Sequence, residues 1–370
     1  MVRAMGIIGF EGDAVKIEGI SKHRPMSSVS FLGRYRLIDF PISNLTNSGV
    51  NTIHIYVKEK PRSVFEHVGT GRQYNINSKH GKLRVMYGEE EISSSIYNTD
   101  VRSYLQNESY IWEDEAEYVI IMPSHFIYTQ DFSDVMDKHI ESGADITMLH
   151  KNTDAAKEKY FGTTTINFDK EKRVKSFEIN RGQAKKRAIS LEAYVLKKQL
   201  FVELLHKANN QSPIYWFKDI VTENVSNLNI QGYSVKGTVL AITDLQSYYD
   251  SSMELINPES SDLFKKDWPI YTRTNDSAPT IYGENAKVSK SLVANGTLIQ
   301  GTVTNSIIGR NVQIEEGAVV ENCIILPTSY IGKDVRINGL VIDKHVRIEK
   351  SKEIKGSPEQ LIYINRHDHI

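Results

Sequence analysis

Residues 308–326 read IGRNVQIEEGAVVENCIIL, and four aliphatic side chains in this stretch follow one another at six-residue steps: Ile308, Ile314, Val320 and Leu326. The same step recurs in three further pairs: Leu292 with Leu298, Ile331 with Ile337, and Ile342 with Ile348. An antiparallel sheet would instead alternate with a period of two. The spacing therefore predicts hexapeptide repeats, in which each short strand points one aliphatic side chain into a prism-shaped core.

The repeat is interrupted in two places. Its phase slips by one residue near residues 298–308 and again between residues 337 and 342. Gly309 and Gly332 each follow an aliphatic residue, as in parallel β-helices built from hexapeptides. We therefore expect a parallel β-helix after about residue 268.

Residues 5 to about 250 follow a different pattern, in which short apolar runs alternate with longer amphipathic segments. Four runs are predicted as buried strands: residues 6–9, 51–57, 117–122 and 144–149. Residues 132–140 have helical apolar spacing, with Ser133 as the predicted N-cap. Such units favour a mostly parallel sheet with helices on both faces. Ligands of these folds lie beyond the carboxyl ends of the strands, so we expect the functional residues just after Ile8 and Met122.

Composition limits the partners and the compartment. The 370 residues suffice for two domains, and a net charge of −1 gives no electrostatic reason to expect nucleic acid or a membrane as partner. The single cysteine, Cys323, fits a reducing cytoplasm and is expected to be a small core residue. No apolar run approaches the ~18 residues that span a bilayer, and the N-terminus lacks a signal-peptide pattern.

Residues 34–44 (RYRLIDFPISN), followed by Asn47-Ser48-Gly49-Val50, form a specific block. It resembles the ADP-glucose pyrophosphorylases, the glucose-1-phosphate adenylyltransferases of glycogen synthesis, and residues 268–272 (WPIYT) match that family too. The resemblance implies an α/β fold. A Rossmann-like nucleotidyltransferase domain with a mixed, mostly parallel sheet would cover residues 1–268, and a left-handed parallel β-helix would cover 269–370. It also implies a tetramer.

The family follows its first strand with a phosphate loop of the form GGxGxR, whose glycines and Arg hold the triphosphate. This chain has instead residues 11–16, EGDAVK, in which Glu11 and Ala14 replace glycines and Lys16 replaces the Arg. Lys holds a phosphate only as a point charge. Glu11 and Asp13 oppose it, because two unit charges ~4 Å apart repel by about 4 kcal/mol at an effective dielectric near 20. The loop is predicted to be a poor triphosphate site.

The metal-binding carboxylates of the family are also replaced. The Asp of its GDHIY segment, which holds Mg²⁺, corresponds to His125, and imidazole suits this hard cation poorly. The carboxylate of its RDVGT segment corresponds to Ala241, whereas its DFGKD element survives partly as residues 216–219, WFKD. Asp219 would then be half of a metal site, so we expect neither a bound metal nor another cofactor.

Two lysines of the family are missing as well. The sugar-phosphate lysine of its FVEKP segment corresponds to Asn180, and Arg181, one residue further, is expected to point away. Met26 replaces the lysine of the RAKPAVPFGG segment, in a region that the family uses for anionic ligands. This loss argues against phosphorylated activators acting at the chain's own site.

The chain keeps the family's specific block at residues 34–44 but has lost its phosphate-binding and metal-binding residues. In this it resembles the non-catalytic, D-type glycogen biosynthesis subunits, and residues 23–26, HRPM, resemble them too. We predict no catalytic residues and a residual nucleotide or sugar-phosphate pocket at Gly12, Lys16 and Asp219. The predicted partners are a catalytic subunit in a heterotetramer and a small phosphorylated effector.

Two alternatives stay open at this stage. One is a weakly active sugar-1-phosphate nucleotidyltransferase that uses Lys16 and Asp219 with Mg²⁺. The other is a hexapeptide-repeat acyltransferase with His345 as base, although an exposed turn is the more common place for such a histidine.

Overall fold

The computed structural model describes residues 3–370 apart from residues 11, 13–14, 77–80 and 88–97. Its N-terminal strands are β1 (Ala4–Ile8), β2 (Ser30–Phe31), β3 (Tyr35–Arg36), β4 (Thr52–Tyr56), β5 (Lys82–Met86), β6 (Tyr118–Met122), β7 (Phe126–Ile127), β8 (Ile146–Thr153), β9 (Thr164–Phe168), β10 (Val174–Ile179), β11 (Arg187–Lys197), β12 (Ile230–Ser234) and β13 (Leu240–Ala241). The helices are α1 (Asp39–Asn47), α2 (Arg62–Val68), α3 (Asp100–Gln106), α4 (Glu108–Trp112), α5 (Phe132–Ser142), α6 (Lys198–Gln211), α7 (Phe217–Glu223) and α8 (Leu245–Glu254).

The main sheet has the order β10-β9-β11-β6-β1-β4-β5, with β8 paired to β11 and β12 paired to β8. Strands β6, β1, β4 and β5 run parallel at its centre, and β11 runs antiparallel to β6. Neighbouring residues of β1 enter different cores, since Ile7 packs with α3 and α6 and Ile8 packs with α1 and α5. The predicted mixed, mostly parallel sheet with helices on both faces is confirmed.

Helix α5 begins at Phe132, and its N-cap is Asp131 rather than the predicted Ser133. The Asp131 carboxylate accepts a hydrogen bond from the Ser133 N–H at 2.8 Å. A carboxylate at this place satisfies a free N–H and complements the helix dipole. Ser133 therefore lies inside the first turn.

Residues 281–364, all of them described, fold as a parallel β-helix. Its strands are β14 (Ile281–Tyr282), β15 (Lys287–Ser289), β16 (Leu292–Val293), β17 (Leu298–Ile299), β18 (Thr302–Thr304), β19 (Ile307–Ile308), β20 (Gln313–Ile314), β21 (Val319–Glu321), β22 (Ile324–Ile325), β23 (Tyr330–Ile331), β24 (Arg336–Asn338), β25 (Leu340–Ile342), β26 (Arg347–Ile348), β27 (Glu353–Lys355) and β28 (Ile362–Ile364). Every third strand joins the same sheet, which gives three sheets of five strands. The predicted boundary at residue 268 stays a prediction.

The residues that fill the β-helix core differ in part from the predicted ones. Ile299 faces the core in place of the predicted Leu298, which precedes it. Ile325 faces the core in place of the predicted Leu326, and Leu326 packs against the N-terminal domain. Val293 likewise replaces Leu292. The reason is coil length. Residues paired in neighbouring strands of one sheet are one coil apart. The coil from Leu298 to Gln313 has 15 residues and the coil from Gln313 to Tyr330 has 17, whereas three six-residue steps would make 18.

One sheet of the β-helix joins the two parts of the chain. Its outward residues Ile307, Ile324 and Val341 are buried against Phe31 and Tyr248 of the N-terminal domain. This sheet is apolar on both faces, which accounts for consecutive aliphatic residues such as Ile307-Ile308. In the described parts of the chain, no helix has both the length and the apolar composition needed to cross a membrane.

Candidate functional site

The carboxyl ends of β1 and β6 meet at one edge of the sheet, where chemistry was expected. Ile8 pairs with Met122, and the Gly9 N–H donates to the Met122 carbonyl at 3.0 Å. Glu11, Asp13 and Ala14 of the predicted phosphate loop lie outside the described residues.

The structure brings His125 and Ala241 together. Strands β7 and β13 pair antiparallel, with Phe126 opposite Ala241, and the Ile242 N–H donates to the His125 carbonyl at 2.8 Å. Both His125 and Ala241 are buried. The two positions at which the family resemblance places carboxylates are thus neighbours in space, but they present an imidazole and a methyl group.

These residues do not fit a magnesium ion, which prefers carboxylate and water oxygens. The described residues contain no group of three histidine, cysteine, aspartate or glutamate side chains that could hold a metal. Asp219 is engaged elsewhere. Its carboxylate accepts a hydrogen bond from the Trp216 N–H at 2.9 Å and caps the first turn of α7.

Aromatic side chains fill the space beyond β1. The rings of Phe10 and Trp216 pack edge to face with centroids 5.7 Å apart. A Cβ atom added to Gly12 would lie 3.7 Å from the Trp216 ring, and one added to Gly9 would lie 2.6 Å from the Tyr104 hydroxyl. These glycines face side chains of the chain itself.

A cavity of about 40 Å³ remains beside these rings, lined in part by Asp100, Glu192, Trp216 and Phe217. One liquid water takes about 30 Å³, and small-molecule sites measure about 300–1,000 Å³. This cavity by itself is too small for a nucleotide. A larger cavity, of about 460 Å³, shares Phe10 and Gly12 with it. The sequence carries a signal for these rings, since Trp216-Phe217 stands where the DFGKD element has Phe-Gly.

Two acidic groups line this small cavity. Desolvation raises the pKa of the Asp100 carboxyl to about 7, although that carboxyl accepts hydrogen bonds from the Phe217 N–H (2.9 Å) and the Val101 N–H (2.7 Å). Glu192 adopts a left-handed backbone conformation with φ 50° at a register shift of β11. Its carboxylate lies 3.7 Å from the Lys218 ammonium.

Asn180 has a structural role. Its buried side chain donates to the carbonyls of Ala156 (3.0 Å), Lys159 (3.1 Å) and Tyr160 (2.9 Å). Its Oδ1 accepts from the Gly182 N–H at 3.1 Å. Strand β10 ends at Ile179, so Asn180 and Arg181 lie outside it and the predicted alternation of strand side chains does not apply to them. Arg181 is exposed.

The remaining predicted residues are dispersed. Gly12 and Lys16 line one cavity and Asp219 does not, so the structure does not bring the three residues together, and their role in ligand binding stays a prediction. His345 is an exposed turn residue with φ 62°, and its ring stacks on His367 at 5.1 Å. Cys323 is buried in the β-helix core, and burial raises the pKa of its thiol to about 12, as expected for a core residue.

Comparison with known proteins agrees with this architecture. A sequence model of the nucleotidyl transferase family matches residues 6–257, which is more than half of the chain. The chain belongs to the nucleotidyl transferase family. A GlmU-like C-terminal hexapeptide model matches residues 278–360, which confirms the predicted left-handed β-helix for this nucleotidyl transferase family member.

Curated relatives extend the similarity over nearly the whole chain. Glucose-1-phosphate adenylyltransferase of Fervidobacterium nodosum is 27% identical over 358 residues, which cover 96% of this chain and 86% of that protein. The proteins of the same name from Bacillus anthracis and Bacillus mycoides are each 28% identical over 357 residues, covering 95% of this chain and 94% of theirs. The predicted family resemblance is therefore confirmed.

Proposed function

We propose that this chain is a non-catalytic, regulatory subunit of ADP-glucose pyrophosphorylase in bacterial glycogen biosynthesis. It would modulate a catalytic partner that makes ADP-glucose from ATP and glucose 1-phosphate. The observation that carries the proposal is that His125 and Ala241, on the paired strands β7 and β13, stand where the family resemblance places metal-binding carboxylates. An imidazole and a methyl group are poor ligands for the Mg²⁺ that the reaction of this family needs.

The charges support the same conclusion. In-line attack on ATP needs groups that stabilise the developing charge, and each such group typically contributes about 10²–10³ in rate. At three places where the family resemblance puts such groups, this chain has His125, Asn180 and Ala241. Their losses need not multiply, because catalytic groups that act together are non-additive. Even one such loss leaves a poor catalyst.

Regulation would follow from assembly. A silent subunit changes its neighbour's activity when it contacts the active and inactive states of that neighbour differently. We propose a cytoplasmic heterotetramer with the catalytic subunit, formed without nucleic acid or membrane. The buried junction between the N-terminal domain and the β-helix would carry changes between the two parts. A small phosphorylated effector belongs to this proposal.

The alternative is a weakly active nucleotidyltransferase. The names of the relatives favour it, since they are glucose-1-phosphate adenylyltransferases. It would require Lys16 to hold the phosphates and Asp219 to bind Mg²⁺. Against that role, the described residues contain no group of three histidine, cysteine, aspartate or glutamate side chains that could hold a metal together with Asp219.

The test is ADP-glucose synthesis from ATP and glucose 1-phosphate with Mg²⁺. The purified chain is assayed alone and after mixing with the catalytic subunit of the same organism. We expect no product from the chain alone, and a changed maximal rate, KM or effector response in the mixture. The catalytic subunit with heat-unfolded chain serves as control. Robust turnover by the chain alone would establish the alternative instead.

A further inference from the structure

Positive charge is concentrated where the β-helix meets the N-terminal domain. Lys344 lies in the turn between β25 and β26, and the strongest electrostatic partners of its ammonium group include three guanidinium groups, those of Arg36, Arg24 and Arg366. Asp343 is the one carboxylate among these partners. The whole chain has a net charge of −1, so this excess of positive charge is local.

The Asp343 carboxylate is already occupied by other donors. It is fully buried and accepts two hydrogen bonds from the Arg24 Nη2, at 2.7 and 2.9 Å. The Tyr363 hydroxyl donates to it at 2.8 Å, and the Lys344 backbone N–H donates at 2.7 Å. Within the described part of the chain, the Lys344 ammonium forms no ion pair. A charge that is partly removed from water without a counter-ion is unfavourable.

Two further donors at this junction have no acceptor. Arg24 is 4% exposed, and its Nη1 is buried without a hydrogen-bond partner among the described residues. The Nε of Arg366 is buried and unpartnered in the same way. An unsatisfied buried donor destabilises a fold, and a donor on a guanidinium does so strongly. A group with acceptor oxygens on Lys344 would satisfy both.

Lys344 has the properties of a reactive amine. Desolvation, together with the charges of Arg36 and Arg24, lowers the pKa of its ammonium group to about 7. At about pH 7.5 most of such an amine is neutral, whereas only about 0.1% of a lysine with the ordinary pKa is neutral. A lysine that burial and neighbouring cations keep neutral is a nucleophile.

We propose that Lys344 reacts with carbon dioxide to form a carbamate, which Arg24 and Arg366 hold through their unpartnered N–H groups. The lone pair of the neutral Nζ forms a bond to the carbon, and one pair of C–O π electrons moves onto an oxygen. The nitrogen then releases one proton to water. The product is Lys–NH–COO⁻, and no oxidant or leaving group is needed.

Carbon dioxide suits this position better than a larger electrophile does. It converts an amine into an anion by adding three atoms, so it needs little space at a half-buried side chain. Relative to the ammonium form, the carbamate lowers the summed charge of Lys344, Asp343 and the three arginines from three positive charges to one. It also supplies the acceptor oxygens that the junction lacks. This inference goes beyond the proposed function and does not rest on it.

The test uses the purified full chain in carbon-13 bicarbonate at about pH 7.5. We expect a carbamate resonance that is separate from those of bicarbonate and dissolved carbon dioxide. A trialkyloxonium salt traps a carbamate as its ester, and peptide mass spectrometry then locates the ester in the chain. The trapped fraction at Lys344 should exceed that at the exposed Lys350 about ten-fold or more, because most of Lys344 is the neutral amine.

Variants separate this modification from others in the same chain. Lys344→Met should lose the resonance, and Lys350→Met, the matched control on the same β-helix, should keep it. Arg366→Gln keeps the reacting amine but should lower the trapped fraction several-fold, because one donor to the carbamate is gone. Thermal unfolding verifies that the variants fold. The trapping experiment on the unaltered chain remains decisive if a variant does not fold.

Three outcomes would overturn the proposal: no trapped ester at Lys344, equal trapping at Lys344 and Lys350, or parent-like trapping in Arg366→Gln. These outcomes are distinguishable from failure of the proposed function. A chain that makes ADP-glucose alone refutes the regulatory role whatever its carbamate content. A silent chain without a carbamate refutes only this modification.

Discussion

Arg24 and Asp343, 319 residues apart in the sequence, form a buried ion pair between the N-terminal domain and the β-helix. The guanidinium donates to both carboxylate oxygens, and the Tyr363 hydroxyl donates a further hydrogen bond to Asp343 at 2.8 Å. A buried pair adds little net stability, but loss of one partner leaves an uncompensated charge. The two parts of the chain are therefore held in one orientation at this point.

The first prediction concerns this pair. Asp343→Asn should lower the free energy of unfolding by about 3–5 kcal/mol, because the Arg24 charge stays buried without its partner. Urea and thermal denaturation measure the loss. Glu316→Gln, an exposed change on the β-helix, is the control and should have almost no effect. Equal stability of the two variants would contradict the assigned role of the pair.

The second prediction concerns the two lost carboxylates. His125→Asp together with Ala241→Asp restores a carboxylate at both positions and should create a Mg²⁺ site. For a dissociation constant near 1 mM, 10 mM Mg²⁺ would stabilise the variant by about 1.4 kcal/mol. The thermal unfolding temperature with Mg²⁺ and with a chelator gives the shift. The variant with Asn at both positions should not respond. A missing response in the Asp variant would show that the two side chains do not converge.

The third prediction is that restoring the family lysine at Asn180 damages the fold. Asn180→Lys removes a side chain that donates to three carbonyls and accepts from Gly182, and it introduces a charge at a buried position. The free energy of unfolding should fall by at least about 3 kcal/mol. Asn209→Lys, at an exposed position of α6, is the control. A stable Asn180→Lys variant would mean that the loop does not need these hydrogen bonds.

The fourth prediction is a loss of stability in mild acid. Burial lowers the pKa of His54 and of His150 to about 4 each, below the ordinary value of 6.5. The unfolded chain therefore takes up these protons at higher pH than the folded chain does. Stability is complete above pH 6.5 and decreases as the pH falls toward 4, by about 3 kcal/mol per histidine at the limit.

Thermal unfolding between pH 7.5 and pH 4.5 measures this dependence. A variant with both His54→Leu and His150→Leu should lose most of it, whatever its stability at neutral pH. His206→Leu, which removes an exposed histidine, should retain it. If the double variant follows the same pH curve as the parent, other groups cause the acid sensitivity.

Local patterns in the sequence were sufficient for much of this fold. Alternating apolar runs predicted the central strands, because a strand buried on both faces needs a continuous apolar run. Six-residue steps predicted the β-helix, since each coil must place aliphatic residues toward one axis. Assignment of the core residues failed at Leu298 and Leu326. Coils of 15 and 17 residues shift the register, and an aliphatic residue beside the core residue packs equally well on another domain.

The sequence by itself determined which chemical groups this chain has lost, because His125, Asn180 and Ala241 can be read directly from it. Only the tertiary structure decided that His125 and Ala241 are neighbours, that Trp216 packs against Phe10, and that Asn180 holds a loop. The physical reason is that backbone conformation follows from near neighbours in the chain. A site depends on side chains that sheet register and domain packing bring together over long sequence distances, as Arg24 and Asp343 show.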